Sequence, residues 1–212
     1  MSLFVDSADL VAIARVIGTG VVAGATTNPA LLALTGRPAV QIIPELCELV
    51  PGTVFYQCNA ETIEARHAEA DAMLSLAPDR VGIKIAASSA NLALVDALAM
   101  DCDVAVTALY TPAQAVLAAY AGARYVIPYV NRMSRLLGDG MAILRQIRAA
   151  LDATGTGCEI LAASIKSPEE AVDALLAGAH HLSLPPDVLW RMGEHPLSDA
   201  AVEEFARVAR EG

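Results

Sequence analysis

Lysine is the charged residue that this sequence uses least. Two lysines, Lys84 and Lys166, occur in 212 residues, against twelve arginines. Lys84 lies inside the apolar run V-G-I-K-I-A, and Lys166 ends the run I-L-A-A-S-I-K. A preference for arginine explains why lysines are few, but lysine is rarely buried unless it is paired. The apolar surroundings of the two that remain therefore need a separate reason.

Aromatic residues and positive charge are also scarce. Aromatic residues make up 4% of the chain and hydrophobic ones 55%, so the core must be built mainly from aliphatic side chains. A net charge of −10 disfavours nucleic acid and membrane surfaces as partners, because both attract a basic protein. A small anionic ligand is compatible with the sequence if a few cations converge locally.

The spacings that mark metal sites, disulfide frameworks and membrane segments are missing as well. The four cysteines are scattered and form no C-x-x-C pair, which indicates reduced thiols in a cytoplasmic protein. The four histidines lack the spacing of metal ligands, so no metal site is predicted. The N-terminus is strand-like and has neither a signal-peptide pattern nor a long apolar run. We therefore predict a cytoplasmic chain without a membrane span.

Short apolar runs alternate with amphipathic stretches, and no linker interrupts them. The predicted strands are residues 3–6, 24–27, 54–58, 82–86, 104–109, 125–129, 160–163 and 182–184. Helical patterns lie between them, at 9–17, 39–49, 62–76, 90–99, 112–121, 140–153 and 168–176. Eight strands that alternate with helices in a chain of this length predict an α/β fold, a single (β/α)8 TIM-barrel domain over residues 1–212.

Two further helical patterns, at 186–192 and 198–210, follow the eighth strand. The second carries Val202, Phe205 and Val208 on one face. An amphipathic helix must bury such a stripe. It either packs on its own barrel or docks on a neighbouring subunit, and the sequence leaves both open.

In barrel enzymes the chemistry lies at the C-terminal ends of the strands. Polar candidates stand at or just after seven of the eight predicted ends: Asp6, Thr26, Asn28, Gln57, Lys84, Thr107, Tyr129, Arg132, Ser164 and Lys166. Because side chains alternate along a strand, Lys84 shares its face with Gly82 and Ala86. These small neighbours predict room for a long side chain and a ligand, with Ile83 and Ile85 pointing outward.

Lys84 is the leading candidate for a catalytic group. A desolvated lysine has a lowered pKa and becomes a nucleophile that can form a Schiff base with a carbonyl. The alternative is a structural ion pair with Asp6 across the barrel. The strand ends offer no Glu or His as a general base, which disfavours an isomerase of the triosephosphate type.

Each of the other candidates has a structural alternative. Asp6 is also suited to cap the helix that follows it, and Asn28 stands directly before a proline, as an N-cap does. Gln57 and Thr107 are individually compatible with a polar lining of the barrel. Tyr129 is a candidate acid–base hydroxyl, although a tyrosine ring in a core is common.

The segment after the seventh strand has the features of an anion site. Ser167 and Pro168 fit the Ncap and N1 positions of a helix, and Glu170 completes a capping box. Helix N-termini bind anions, and barrels often hold phosphate near the last two strand ends. Arg132 lies on a neighbouring loop, where it can converge on the same place. The alternative is a solvated loop before a well-capped helix.

Five segments, spread over nearly the whole chain, form a specific set. They are F-V-D from Phe4, G-A-T-T-N-P from Gly24, I-K-I from Ile83, Y-V-I-P-Y-V-N-R from Tyr125 and L-A-A-S-I-K-S-P from Leu161. In this order they resemble the transaldolase family, and specifically its small fructose-6-phosphate aldolase branch. The T-T-N-P and P-Y-V-N-R motifs, together with the lysine of the fourth strand, are the most specific parts of the resemblance.

The resemblance implies a class I mechanism, which uses a Schiff base and neither a metal nor an organic cofactor. Lys84 matches the Schiff-base lysine of the family. The residues that match those holding the dihydroxyacetone unit are Asp6 and Asn28, with Thr26 beside them in the same motif. Those that match the group positioning a catalytic water or hydroxyl are Gln57, Thr107 and Tyr129. The acceptor phosphate site is matched by Arg132, Ser164 and Lys166.

Three positions favour the aldolase branch. Transaldolases resemble one another in having Glu, Asn and Phe where this chain has Gln57, Ala105 and Tyr129. A neutral amide and a phenol at these places change how water is polarised, as in the aldolase pattern. One departure concerns the acceptor side: Ser134 stands where an acidic residue is common.

The sequence therefore predicts a class I aldolase of carbohydrate metabolism that acts on fructose 6-phosphate or adds dihydroxyacetone to an aldehyde such as glyceraldehyde 3-phosphate. A transaldolase of pentose phosphate metabolism, which moves the dihydroxyacetone unit between sugar phosphates, is the runner-up. A non-catalytic barrel that binds phosphosugars is the alternative from another class. The resemblance also implies a homo-oligomer, a pentamer or decamer built through a swapped C-terminal helix, which residues 198–210 can supply.

Overall fold

The computed structural model describes residues 1–211 and contains a closed barrel of eight parallel strands. The strands follow one another around the barrel in chain order, and the eighth pairs with the first. Their bounds are β1 Leu3–Asp6, β2 Val22–Thr26, β3 Val54–Gln57, β4 Val81–Ala86, β5 Val104–Leu109, β6 Tyr125–Pro128, β7 Glu159–Ala162 and β8 His181–Leu184. Every strand lies within about two residues of its predicted position, so the TIM-barrel prediction is confirmed.

Helices connect the strands and follow the last one. Their bounds are α1 Leu10–Ile17, α2 Pro29–Leu34, α3 Ala39–Leu49, α4 Ile63–Leu74, α5 Leu92–Leu98, α6 Pro112–Tyr120, α7 Val130–Leu137, α8 Gly140–Thr154, α9 Pro168–Leu176, α10 Pro186–Arg191 and α11 Pro196–Glu211. A short 3-10 helix, Ser89–Asn91, precedes α5. The sequence patterns do not predict α2 and α7, helices of 6 and 8 residues, because each begins almost directly at a strand end.

The two faces of each strand bury different sets of side chains. Ile83 and Ile85 are fully buried and belong to the outer layer, which packs the barrel against its helices. Phe4, Phe55 and Tyr125 belong to a separate cluster inside the barrel. The outward direction predicted for the two isoleucines is therefore confirmed.

Aromatic rings close the barrel interior on its N-terminal side. Phe4, Phe55, Tyr125 and His181 contact one another there, with ring centroids 5.4 to 6.4 Å apart. A Cβ atom on Gly82 would lie 2.5 Å from the Phe55 ring, so the glycine is required by the close approach of that ring. The prediction that Gly82 leaves room for a ligand is wrong, because Phe55 fills that room.

The last helix, α11, leaves its apolar side chains exposed. Leu197, Val202, Phe205 and Val208 have exposed fractions of 75, 64, 70 and 56%. The stripe is therefore not buried on its own barrel in this structure. Within residues 1–211, no helix combines the length and the apolar composition that a bilayer span requires.

Candidate active site

The C-terminal ends of the strands surround a cavity of about 460 Å³, which is in the range of small-molecule sites. Eight of the ten predicted site residues line it: Asp6, Asn28, Gln57, Lys84, Tyr129, Arg132, Ser164 and Lys166. Thr26 and Thr107 are fully buried behind these residues and are not among those lining the cavity. The barrel thus brings the predicted residues of seven strands together at one end.

Lys84 lies on β4 with 3% of its surface exposed. Its Nζ donates a hydrogen bond to the carbonyl oxygen of Thr27 at 2.9 Å, and it forms no ion pair within residues 1–211. The alternative of a structural ion pair with Asp6 is therefore wrong. Burial lowers the pKa of the amine, and the negative charge of Asp6 offsets only part of this shift. The amine is prepared to lose its proton and act as a nucleophile.

Asp6 ends β1 and is held by a short chain of hydroxyl groups. Thr26 Oγ1 donates to Asp6 Oδ1 at 2.7 Å, and Ser183 Oγ lies 2.6 Å from Thr26 Oγ1. A threonine hydroxyl has one proton, so Ser183 must be the donor to Thr26. Asp9, and not Asp6, caps α1 through hydrogen bonds from the amides of Val11 and Ala12. The carboxylate of Asp6 is therefore oriented by Thr26 and Ser183 and stays available to a ligand.

Ser183 was not among the predicted site residues. It lies in β8 between two leucines, and nothing in the L-S-L pattern distinguishes it from a polar residue on a half-buried strand. Only the closure of the barrel, which pairs β8 with β1, brings it to Thr26.

Asn28 both caps a helix and lines the cavity. It is the N-cap of α2, and its Oδ1 accepts a hydrogen bond from the amide of Leu31 at 3.1 Å. The capping alternative is confirmed, but it uses only the oxygen of the amide. Within the part of the chain that the structure describes, no residue accepts from Nδ2, which leaves two donors at the edge of the cavity.

Tyr129 directly follows β6, and its side chain contacts residues of β5 and α7. Its hydroxyl accepts a hydrogen bond from Thr107 Oγ1 at 3.2 Å, and the Arg132 guanidinium lies 4.7 Å from its ring centroid. β5 bulges directly after Thr107, at Ala108, whose φ of 57° is in the left-handed region. Such a conformation is costly for alanine and persists only where surrounding structure imposes it. The bulge re-aims the end of β5 beside Tyr129.

The segment after β7 forms the adjacent part of the cavity edge, since β7 pairs with β6. Ser164 has a φ of 60°, and Lys166 is exposed. Ser167 Oγ accepts from the amide of Glu170, as predicted for the cap of α9. The predicted capping box is wrong, because the Glu170 carboxylate accepts from Asn131 Nδ2 and from the amide of Lys166 instead. This carboxylate therefore ties the first turn of α7 to the segment after β7, and both carry predicted phosphate ligands.

Ser134 and the cysteines lie outside the chemistry of the cavity. Ser134 Oγ donates to the carbonyl oxygen of Val130, and a Cβ on Gly140 would lie 2.5 Å from it. Its side chain thus faces the start of α8. Burial raises the pKa of the Cys58 and Cys158 thiols to about 12, which keeps them protonated and inert.

Solved structures with a similar fold carry flavin-enzyme names. A mandelate oxidase has a TM-score of 0.63 at 19% identity; the match covers 90% of this chain and 66% of that one. (S)-Mandelate dehydrogenase from Pseudomonas putida has a TM-score of 0.63 at 16% identity, over 90% of this chain and 68% of the other. This chain thus spans just under two thirds of the mandelate oxidase. At such identities the likeness shows the barrel fold alone.

Sequence relatives are much more informative. A protein of Caulobacter sp. named a probable transaldolase is 40% identical over 208 residues, covering 98% of this chain and 95% of the relative. A probable transaldolase of Geotalea daltonii is 36% identical over 210 residues, covering 97% and 96%. The sequence model of the family described as transaldolase/fructose-6-phosphate aldolase matches residues 3–211. The chain belongs to the transaldolase/fructose-6-phosphate aldolase family.

Proposed function

We propose that this aldolase-type enzyme cleaves fructose 6-phosphate, or adds dihydroxyacetone to an aldehyde such as glyceraldehyde 3-phosphate, through a Schiff base on Lys84. The observation that supports the proposal most is the state of that lysine. Its amine is buried and forms no ion pair with a carboxylate in the described part of the chain, its pKa is lowered, and it lines a cavity of suitable size. These are the conditions under which an amine attacks a carbonyl.

The reaction proceeds through an imine and an enamine. The Lys84 amine adds to the C2 carbonyl of the sugar, and loss of water gives the imine. As the C3–C4 bond breaks, its electron pair moves toward the protonated imine, the C4 hydroxyl loses its proton, and the aldose departs. The enamine takes up a proton at C3, and water then releases dihydroxyacetone and the free lysine. In the synthetic direction the enamine attacks an aldehyde instead.

The residues around Lys84 divide this work. Asp6 and Asn28 hold the donor hydroxyls, as carboxylate acceptor and amide donor, and Thr26 orients Asp6. Tyr129 is the hydroxyl that moves protons, with Thr107 fixing its direction and Gln57 beside it. The positive charges at the rim, with a hydroxyl between them, receive the acceptor phosphate: Arg132, Ser164 and Lys166.

A transaldolase is the second candidate, because the curated relatives bear that name. Both activities use the same imine and differ in whether the enamine is protonated or captured by a second sugar phosphate. The distinguishing assay offers fructose 6-phosphate with and without erythrose 4-phosphate. We expect release of free dihydroxyacetone without the acceptor. Turnover that depends on erythrose 4-phosphate would instead identify the transaldolase.

Reductive trapping tests the imine itself. Borohydride added during turnover with dihydroxyacetone is expected to leave a reduced adduct on Lys84, located by peptide mass mapping. The chain has two lysines, so Lys166 is an internal control for non-specific reduction. Absence of an adduct on Lys84 under turnover conditions contradicts the proposal. Tight sugar-phosphate binding without a trappable imine would support the non-catalytic barrel.

The hydroxyl chain behind Asp6 gives a separate prediction. Ser183→Ala removes the donor to Thr26 and frees Thr26 and Asp6 to reorient, so we expect KM for dihydroxyacetone to rise about 10-fold, the equivalent of one lost hydrogen bond. kcat should change less, because the nucleophile is untouched. Ser183→Cys keeps a side chain of similar size with a weak donor, so its KM should lie between that of the parent and that of Ser183→Ala. An unchanged KM in the alanine variant would show that Ser183 does not orient Asp6.

Assembly and location also remain proposals. The exposed apolar stripe of α11, from Leu197 to Val208, supports a homo-oligomer in which this helix docks on another copy. The four cysteines are all free in the structure, which supports a cytoplasmic location.

A further inference from the structure

The side-chain amide of Gln57 has one bound end and one free end. Its Nε2 donates to Asn59 Oδ1 at 3.1 Å, whereas its Oε1 is buried and accepts no hydrogen bond from residues 1–211. Gln57 lines the cavity and is the register partner of Lys84 on the neighbouring strand. Buried acceptors in proteins are normally satisfied. An orphan acceptor beside the proposed nucleophile therefore points to a donor that enters with the substrate.

The direction of this amide follows from the groups around Asn59. Asn59 Nδ2 donates to the backbone carbonyl oxygen of Gln57 at 2.6 Å. A carbonyl oxygen can only accept, so the NH2 end of Asn59 must face it and Oδ1 must face the Gln57 side chain. Because Oδ1 also can only accept, Gln57 must present its NH2 group to Asn59. Its Oε1 is thereby turned away from Asn59.

The backbone that carries Asn59 is itself held in place. Glu69, on α4, accepts hydrogen bonds from the amides of Asn59 and Ala60, both at 2.9 Å, through one carboxylate oxygen. Its other oxygen accepts from the Tyr56 hydroxyl at 2.7 Å. Asn59 is exposed, but the loop under it is fixed by one carboxylate with three donors. Its side chain can therefore serve as a stable reference for Gln57.

We infer that Asn59 is a positioning residue, which holds the Gln57 amide with its oxygen as an acceptor beside Lys84. The inference rests on the proposed function. The oxygen accepts a hydrogen bond from the water or hydroxyl group that exchanges protons with the carbon next to the imine carbon. If the amide turned over, two N–H donors would occupy that place, and the same water would be oriented the opposite way.

The step that depends on this orientation can be observed without an aldehyde. In the imine of dihydroxyacetone, a proton leaves the carbon adjacent to the C=N carbon, and its bonding pair forms the enamine double bond. Return of a deuteron from D2O to the same carbon labels the ketone after hydrolysis. Deuterium incorporation into dihydroxyacetone, followed by proton NMR, thus reports the proton transfer. Borohydride trapping reports imine formation separately.

Three variants separate orientation from loop stability. Asn59→Leu has a similar size but neither a donor nor an acceptor, and Asn59→Asp keeps the acceptor that Gln57 Nε2 requires. Thr62→Ala removes the N-cap hydroxyl of α4, in the same loop, without touching Gln57. We expect Asn59→Leu to lower deuterium incorporation about 10-fold, less than the roughly 10²- to 10⁴-fold of an acid–base group itself, because Asn59 acts through Gln57. The adduct on Lys84 should be unchanged. Thr62→Ala should stay within about 3-fold of the parent, since it keeps the Gln57 amide in place. Asn59→Asp keeps the acceptor for Gln57 Nε2 but loses the donor to the Gln57 carbonyl oxygen, so its incorporation should lie between that of Asn59→Leu and that of the parent.

The other outcomes decide against the inference in distinguishable ways. Unchanged incorporation in Asn59→Leu shows that Asn59 does not position Gln57. A parallel loss of incorporation, adduct and melting temperature, matched by Thr62→Ala, shows a structural role only. Absence of an adduct in the unmodified protein overturns the proposed function and this inference with it, whereas a normal adduct with unchanged incorporation overturns this inference alone.

Discussion

Replacing Lys84 with methionine is expected to lower kcat for fructose 6-phosphate cleavage by about 10⁴-fold or more, because the covalent route is lost. Methionine has a similar length and suits the apolar position, so the barrel should remain folded. Lys166→Met is the matched control, since it removes the only other lysine. That variant should keep both turnover and the borohydride adduct, with an effect on KM for phosphorylated substrates alone. Comparable losses in the two variants would contradict the assignment of the nucleophile.

The same substitution tests the buried state of the amine through its pH dependence. The pKa of Lys84 is lowered in the folded protein, so between this value and the ordinary lysine pKa the unfolded chain binds one more proton than the folded one. The free energy of unfolding of the parent therefore rises with pH through this window. Lys84→Met lacks this ionisable amine, so its free energy of unfolding relative to that of the parent should fall as pH rises toward the ordinary lysine pKa of about 10.4. Urea denaturation of both proteins at several pH values measures this. A constant difference would mean that Lys84 is not desolvated.

The fold was readable because its signals are local and repeated. Each strand is a short apolar run, and errors at their ends stay within about two residues, as for β2, which starts at Val22 instead of residue 24. The candidate nucleophile Lys84 was predictable for the same reason, because a lysine inside an apolar strand is unusual unless it has a partner or a function. The alternating pattern also set the direction of its neighbours Ile83 and Ile85 correctly.

What could not be read depends on contacts between distant segments. Glu170 has the right spacing for a capping box, but a partner 39 residues away, Asn131, binds its carboxylate. Ser183 reaches the site only through barrel closure, and Asn59 becomes informative only when the two ends of the Gln57 amide are distinguished. α7 begins at Val130, directly after the predicted sixth strand, so no turn signal separates the two elements in the sequence. In each case the sequence is compatible with the observed contact and does not select it.

The space that was predicted beside Gly82 is another such case, because a residue of a different strand, Phe55, fills it. This packing gives a prediction with a large effect on stability. Phe55 is fully buried, with 0% of its surface exposed, and its ring lies where a Gly82 side chain would be. Phe55→Ala is expected to lower the free energy of unfolding by about 3–5 kcal/mol, because it leaves a cavity in the packed interior. Gly82→Ala should cost about 1–3 kcal/mol, since its Cβ would lie 2.5 Å from the Phe55 ring.

The two changes should not add, because the added methyl group occupies space that the ring has vacated. In the Phe55→Ala background Gly82→Ala should cost less, since the close approach that remains is to Thr53 Cγ2 at 2.9 Å. We expect a coupling energy of at least about 1 kcal/mol in a double-mutant cycle by urea denaturation. Gly24→Ala is the control, since a Cβ there would collide with the backbone carbonyl oxygen of Thr53, which Phe55→Ala does not remove. Its cost should persist in both backgrounds. Additive effects at Gly82 would show that the glycine is required by something other than the Phe55 ring.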